Sequence, residues 1–212
     1  MKYMEYITCF ITGFAVLVFE LASFRLLAPY FGVSSYVTGS IINTILLALS
    51  IGYVLGGYAA DKYKSARLPY LVILGSTVYL FLIYAVYPQI LQSLSFRSVI
   101  LGSSTAILSM FFIPMVLLAF IPPYFIKLLA HKNHVGRAAG GIFSLSTIGS
   151  IIGGIATTFL FIPHLGSRTT FLLTVILLLV TSVAGLWRFT KFSPLLLLLF
   201  IPFKFVSANT SD

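Results

Sequence analysis

The stretch that decides the fold runs from Ser35 to Arg67 and reads SYVTGSIINTILLALSIGYVLGGYAADKYKSAR. Its apolar part is long enough to cross about 30 Å of hydrocarbon as a helix, and it ends abruptly in a charged loop. Gly52, Gly56 and Gly57 remove side-chain bulk at about one-turn spacing, which lets a neighbouring helix approach the backbone closely. The stretch therefore predicts a membrane-spanning helix that packs through its glycines.

The composition extends this prediction to the whole chain. Of the 212 residues, 59% are hydrophobic and only 8% are charged, whereas a soluble domain carries about 25% charged residues. Apolar runs of about 20 residues, the length of a membrane span, recur along almost the full sequence. The sequence thus predicts an all-α polytopic transmembrane helix bundle and argues strongly against a soluble globular protein.

Six helices are expected with a short seventh after them. Apolar runs bounded by proline, glycine or charged loops place the six at about 5–29, 36–60, 68–88, 98–126, 138–162 and 169–187. Pro114 and the pair Pro122 and Pro123 interrupt the fourth helix, because proline donates no backbone hydrogen bond. The last run, about 193–206, is marginal for a span. We therefore divide the chain into a membrane domain at 1–190 and a short apolar helix with a polar tail at 191–212.

The basic residues predict the orientation of the chain. With the N-terminus in the cytoplasm, nine lysines and arginines lie on the cytoplasmic side, three lie outside and Arg25 lies in the membrane. The positive-inside rule favours this arrangement. The net charge of +9 is then a property of the loops and does not indicate nucleic-acid binding. We expect an integral protein of a prokaryotic cytoplasmic membrane, in contact with the lipid bilayer and with no nucleic acid.

A second glycine-rich stretch repeats the first at a constant offset. The matching positions are Ile45, Ser50, Ile51, Gly52, Gly56, Gly57 and Ala59 against Ile142, Thr147, Ile148, Gly149, Gly153, Gly154 and Ala156. The two predicted helices cross the membrane in opposite directions, which is typical of a three-plus-three inverted repeat such as half of a major facilitator transporter. The alternative is that the glycine pattern recurs by chance. On either interpretation we expect these six glycines to be helix-packing positions.

Glu20 is the only acidic residue that the sequence predicts deep inside the membrane. An ionised side chain near mid-bilayer is costly and normally faces the bundle interior with a partner. Arg25 lies about 140° away around the same helix, so we expect a partner on another helix. The candidates are Asn43, Arg168, Ser144, Ser146, Thr147 and Ser150. Two roles remain open for Glu20, a cation or proton site and a buried polar clamp between helices.

The loop after the second helix predicts a latch on the cytoplasmic side. Asp61 closes a helix at its partially negative C-terminal end, which is unfavourable unless a cation or an opposing helix N-terminus meets it. We interpret Asp61, Lys62 and Arg67 as a latch between helices. His131 and His134 have no carboxylate or cysteine nearby, so a solvated loop is a better interpretation than a metal site.

No motif of an enzyme or of a cofactor site is present in the sequence. It contains no phosphate-binding glycine loop after a strand, no nucleophile elbow and no paired carboxylates. We therefore expect neither a catalytic residue, nor a cofactor, nor a metal.

Two blocks of the sequence resemble a known family. The first block consists of FE at 19–20, RLLAPYFG at 25–32, TGSI at 38–41, GY at 52–53 and GGYAAD at 56–61. The second consists of GGI at 140–142, STIGS at 146–150 and IPHLGSR at 162–168. Together they resemble the membrane domain of fused spermidine synthase-like proteins, up to about residue 190. The loop at 57–67 is also similar to the signature cytoplasmic loop of the major facilitator superfamily, but it lacks the glycine before the second basic cluster.

The resemblance implies a half-size major-facilitator-like domain. In that family the membrane domain precedes a soluble Rossmann-type aminopropyltransferase domain, and no such domain occurs in these 212 residues. We therefore expect a non-catalytic anchor or scaffold for another membrane or soluble protein subunit, or a homodimer. The alternative is a dimeric half-size transporter that moves a small cationic solute such as a polyamine.

Overall fold

A computed structural model describes residues 2–96, 98–130 and 135–189, and within these ranges the chain is helical with no strand. The helices are α1 Lys2–Phe31, α2 Ser35–Lys62, α3 Leu68–Ser95, α4 Val99–Ile107, α5 Ile113–Ala119, α6 Ile121–Leu129, α7 Val135–Ala156 and α8 Ile162–Trp187. One π turn, Leu108–Phe112, joins α4 to α5, and another, Thr157–Phe161, joins α7 to α8.

Five helical segments of the described residues are long and apolar enough to cross a membrane. They are Tyr3–Phe31, Ser35–Lys62, Leu68–Ser95, Val99–Leu129 and Val135–Trp187. The prediction of an all-α integral membrane protein is therefore confirmed. The last segment, of 53 residues, is not one straight helix. Gly166 interrupts it with φ 77° and ψ 163°, a conformation that glycine adopts because it has no Cβ atom.

Contacts with α1 fix the direction of α7. Gly149 lies against the main chain of Phe10, and Gly153 lies against that of Phe14. Residue numbers therefore rise together along the two helices, which run parallel.

The direction of α8 is opposite to that of α1. Near one end of the interface, the rings of Phe19 and Phe171 are 5.1 Å apart between centroids. Near the other end, Gly185 touches the ring of Tyr70, whose hydroxyl lies beside Thr8. Rising numbers in α8 thus correspond to falling numbers in α1, and the chain reverses its direction around Gly166.

The centre of the bundle is a cluster of three buried aromatic rings. Phe19 of α1, Phe111 of the first π turn and Phe171 of α8 are each at most 2% exposed. Their centroids are 5.1–6.4 Å apart with tilted or edge-to-face planes, a geometry that aromatic quadrupoles favour. These rings tie the two halves of the chain together.

The helix boundaries differ from prediction at one place in particular. The third helix was expected to end near residue 88, with a polar link after it, but α3 continues through Pro88 to Ser95. The reason is that the extension buries apolar surface, since Leu91 is fully buried.

The fourth helix is interrupted where its prolines predict. The π turn Leu108–Phe112 directly precedes Pro114, and α6 begins at Ile121, immediately before Pro122. The predicted run at 193–206, like His131 and His134, lies outside the described residues.

Candidate functional site

Glu20 lies close to the middle of its membrane-spanning helix. The span Tyr3–Phe31 has its midpoint at residue 17, so Glu20 is three residues away, or about 4.5 Å along the axis. The side chain is partly exposed. Within the part of the chain that the structure describes, no hydrogen bond or ion pair involves its carboxylate, although its main-chain carbonyl accepts a hydrogen bond from Ser23. The carboxylate is thus an uncompensated acidic group near mid-membrane.

The structure brings none of the predicted partners to Glu20. Arg168 lies over the rings of Tyr84 and Tyr87, at 5.5 and 6.0 Å from their centroids. Asn43 is exposed on α2. The cross-bundle pair expected for Glu20 is therefore not formed among the described residues. Arg25 is exposed, as expected for a group near the membrane surface.

Three of the four candidate hydroxyl groups on α7, those of Ser144, Thr147 and Ser150, are occupied by main-chain carbonyls. Thr147 donates to Phe143 O at 2.8 Å, and Ser144 lies 3.3 Å from Gly141 O. The Ser150 hydroxyl lies 3.1 Å from Ser146 O in the preceding turn and also 2.9 Å from Gly13 O across the helix interface. These hydroxyl groups follow the usual preference of serine and threonine for the preceding helical turn, which leaves Glu20 without them.

The α2 glycines lie against main chain of the fourth span. A Cβ atom on Gly52 would overlap the carbonyl of Val116, and one on Gly56 would overlap that of Phe120. The numbers rise together, so α2 runs parallel to α5 and α6. Gly57 has no atom within 4 Å of the position that a Cβ would occupy, so the structure does not place it in this contact.

The α7 glycines make the corresponding contact with α1. A Cβ atom on Gly149 or Gly153 would overlap the main-chain carbonyl of Phe10 or Phe14, respectively. Gly154 differs, because it faces the flexible side chain of Leu17. Four of the six predicted glycines thus lie against backbone.

The loop after α2 is held from two sides. Asp61 forms an ion pair with Lys127 of α6, with 2.6 Å between Oδ1 and Nζ. Arg67 donates to Phe189 O at 2.9 Å and lies over the Phe189 ring. Lys62 lies 5.3 Å from the centroid of the adjacent Tyr63 ring. The geometry joins α2, α6 and the end of α8 at one end of the bundle.

Tyr124 is a contact residue that sequence reasoning missed. Its hydroxyl accepts a hydrogen bond from the Ser65 N–H at 3.3 Å and reaches the carbonyl oxygens of Tyr63 and Ser65. The only signal in the sequence is a tyrosine that follows the Pro122–Pro123 pair near a helix end. Nothing in the sequence indicates that it would face this loop.

Glu5 is a second acidic residue within a spanning helix, but it lies at the end of the span and not deep inside it as Glu20 does. It lies in the first turn of α1, inside the span Tyr3–Phe31, and is only 8% exposed. Because it lies near the expected start of the helix, the sequence did not single it out.

No group of three or more His, Cys, Asp or Glu residues with metal-binding geometry exists among the described residues.

Comparisons of the chain with protein-family models, with curated proteins and with solved structures find no match.

Proposed function

We propose that this chain is an integral membrane module that a partner protein completes, and that it acts as an anchor or scaffold for that partner. The observation that carries the proposal is the partly exposed Glu20 near the middle of α1, whose carboxylate has no partner among the residues that the structure describes. Polar and ionisable groups at this depth are costly unless they face protein or water. In an isolated bundle Glu20 would lack such cover.

Asn43 extends the surface that needs to be covered. It lies eight residues after the start of α2, and Glu20 lies eleven residues before the end of α1. At 1.5 Å per residue the two are about 12 and 16 Å from the connection between the helices, and so at similar depth. Only 33% of the α2 apolar window is buried inside the chain, against 50% for α1. We infer that the partner packs on this side of α1 and α2.

The full topology is also part of the proposal. The reversal around Gly166 divides Val135–Trp187 into two spans, which gives six in all. An inverted repeat is supported by the glycine contacts. The step of four residues from Gly52 to Gly56 faces a step of four in the fourth span, and the step from Gly149 to Gly153 faces a step of four in α1. Repeat-related helices thus exchange equivalent contacts.

We also propose an orientation and a family for the chain. Exposed basic residues gather at the end of the bundle that contains the Asp61–Lys127 pair, which we call the basic end: Lys62, Lys64, Arg67, Lys127, Arg137 and Arg188. This distribution supports a cytoplasmic basic end. The resemblance to the membrane domain of fused spermidine synthase-like proteins suggests a polyamine-synthase-like soluble partner, held by the loops at that end.

Glu20 also favours a second candidate function. Two copies of a half-size unit could enclose an aqueous pathway between them. A carboxylate in that pathway would neutralise a small cationic solute such as a polyamine. In this case the partner is a second copy, and Glu20 faces water in the assembled protein.

Cysteine labelling separates the two candidates. Cys9, the single cysteine of the sequence, is buried, so a Glu20→Cys variant reports on its own position. We expect native mass spectrometry of the chain from its own membranes to show a stoichiometric partner. A water-soluble maleimide should leave Glu20→Cys unlabelled in the intact complex because the partner covers it, and a Val18→Cys control at a fully buried position should also stay unlabelled.

Labelling of Glu20→Cys within an intact homodimer would instead favour the transporter. In that case Glu20→Gln should abolish spermidine uptake into proteoliposomes. A strictly monomeric chain in native membranes would contradict both candidates.

A further inference from the structure

Two buried polar atoms at the basic end have no hydrogen-bond partner within the described ranges. Glu5 of α1 is 8% exposed and Tyr70 of α3 is 1% exposed. Neither the Oε2 atom of Glu5 nor the hydroxyl of Tyr70 makes a hydrogen bond. Buried polar groups are normally paired, so each exception calls for a physical explanation.

The two groups belong to one cluster. The polar and charged neighbours of the Tyr70 hydroxyl are Thr8, Glu5, Arg188 and Cys9, and Thr8 lies beside the hydroxyl without the distance and angle of a hydrogen bond. The cluster thus joins the first turns of α1 to the start of α3 and the end of α8. None of these residues takes part in the contacts of Glu20 or of the loop after α2.

The ring of Tyr70 has little freedom to move away. Gly185 of α8 lies against the ring so closely that a Cβ atom there would overlap it. The rings of Phe125 and Phe189 lie 5.9 and 6.3 Å from it between centroids. The hydroxyl is therefore held in the cluster by packing on three sides.

The oxygen atoms of this cluster offer lone pairs, and the positive neighbour of the Tyr70 hydroxyl, Arg188, is exposed at the end of α8 whereas Glu5 and Tyr70 are buried. Thr8 already donates its hydroxyl proton to Met4 O at 2.8 Å, so its oxygen faces its neighbours as an acceptor. Glu5 contributes carboxylate lone pairs, and Tyr70 contributes those of its hydroxyl. We propose that Glu5, Thr8 and Tyr70 bind a monovalent cation of the sodium class at the junction of α1, α3 and α8.

The donor set selects this class of ligand. One carboxylate balances one positive charge, and hydroxyl and carboxylate oxygens suit hard cations. Calcium takes six to eight oxygen ligands, with several carboxylates, and magnesium requires a near-octahedral set. Zinc and related metals favour several nitrogen or sulfur ligands, and no group of three or more His, Cys, Asp or Glu residues that could hold a metal exists among the described residues. Because Glu5 lies in the first turn of α1, the ion has a short path from the basic end.

Thermal unfolding of the full chain in detergent tests the proposal. A ligand that binds only the folded state raises Tm with its concentration. Replacing choline chloride with sodium chloride at equal ionic strength should raise Tm by roughly 2–4 °C once sodium reaches about five times its Kd. Glu5→Gln should remove this shift and Tyr70→Phe should reduce it.

Two matched controls should keep the sodium shift. Tyr79→Phe removes another α3 hydroxyl, one that donates to Ser109 O, and Glu20→Gln removes the other membrane carboxylate. Retention in Glu20→Gln also separates this proposal from the proposed function. Equal Tm values in sodium and choline for the unmodified chain would overturn the proposal, as would a full shift in Glu5→Gln.

Arg188 is the competing cation for Glu5. If a sodium shift is absent in the unmodified chain and appears only in Arg188→Gln, the arginine neutralises Glu5 and the proposal is overturned. Should Glu5→Gln fail to fold, sodium-23 line broadening by the unmodified chain decides instead. Broadening that Thr8→Val abolishes would support the site, and its absence from the unmodified chain would overturn it.

Discussion

Two glycine pairs with the same spacing pack against different kinds of partner helix in this molecule. In α7, Gly149 and Gly153 lie on α1, which is one helix of 30 residues. In α2, Gly52 and Gly56 lie on the fourth span, where α5 has 7 residues and α6 has 9. One glycine pair thus contacts a continuous helix, and the other contacts a helix broken by a π turn and prolines.

This difference indicates that the cost of adding a side chain at a packing glycine depends on how easily the partner helix can shift. In the interface between α1 and α7, a Cβ atom on Gly13 of α1 would overlap the main chain of Ser146. Both helices therefore contribute a glycine to that interface. Short helices joined by a π turn have fewer regular backbone hydrogen bonds to distort when they shift. We therefore expect α1 and α7 to tolerate added bulk less well than α2 and its partner.

Alanine substitution at the glycines gives the largest expected effect. Gly149→Ala should destabilise the folded chain by about 1–3 kcal/mol, because the new methyl group overlaps backbone of a helix that cannot yield. Gly52→Ala should cost less, since the broken span can move. The measurement is the free energy of unfolding in a mixed-micelle denaturant titration.

Neighbouring glycines in open space provide the controls. Gly57 and Gly140 have no atom within 4 Å of an added Cβ, so alanine there should be neutral or stabilise by up to about 1 kcal/mol through helix propensity. A larger loss of unfolding free energy in Gly52→Ala than in Gly149→Ala would contradict the expected difference between the two interfaces.

A Tyr124→Phe substitution tests the hold of α6 on the loop after α2. It removes the side-chain acceptor of the Ser65 N–H and should cost about 0.5–1.5 kcal/mol, the net value of a typical hydrogen bond. Proteolysis of the loop should be faster in the variant than in a Tyr58→Phe control, whose ring is exposed. An unchanged cleavage rate would show that the loop is held without Tyr124.

The smallest effect is expected from the ion pair at the same end. Asp61→Asn should cost less than about 1 kcal/mol, because Lys127 and Asp61 are 60% and 66% exposed and water screens the pair. Lys127→Gln should lower the free energy of unfolding by a similar amount, and the double variant should lower it little further. A loss that persists at 1 M salt would contradict a screened surface pair.

Much of the architecture could be predicted from the sequence, because a membrane span is recorded in its length and composition. Ser35 to Arg67 predicted α2 to within about two residues at each end. The extension of α3 past Pro88 could not be predicted, since it depends on the tertiary burial of Leu91.

The site was less predictable than the fold. Glu20 was visible as a lone charge in an apolar run, but its neighbours depend on how helices rotate about their axes. When hydrophobic residues are distributed nearly uniformly around a helix, the sequence does not show which face of the helix points toward its neighbours. Tyr70 and Glu5 meet across helices α1 and α3 for the same reason, and nothing in either local sequence connects them.

The reversal at Gly166 has a consequence for the biogenesis of the protein. Gly166 is the residue within α8 that departs from helical dihedral angles, so the connection between the two arms of Val135–Trp187 contains almost no slack chain. If the translocon released α7 into lipid first, the connection would be too short for α8 to remain in water until its own insertion. If Val135–Trp187 forms the two spans proposed above, they should enter the bilayer as a single hairpin, and replacing Gly166 by a β-branched residue should appear first as failed insertion during synthesis.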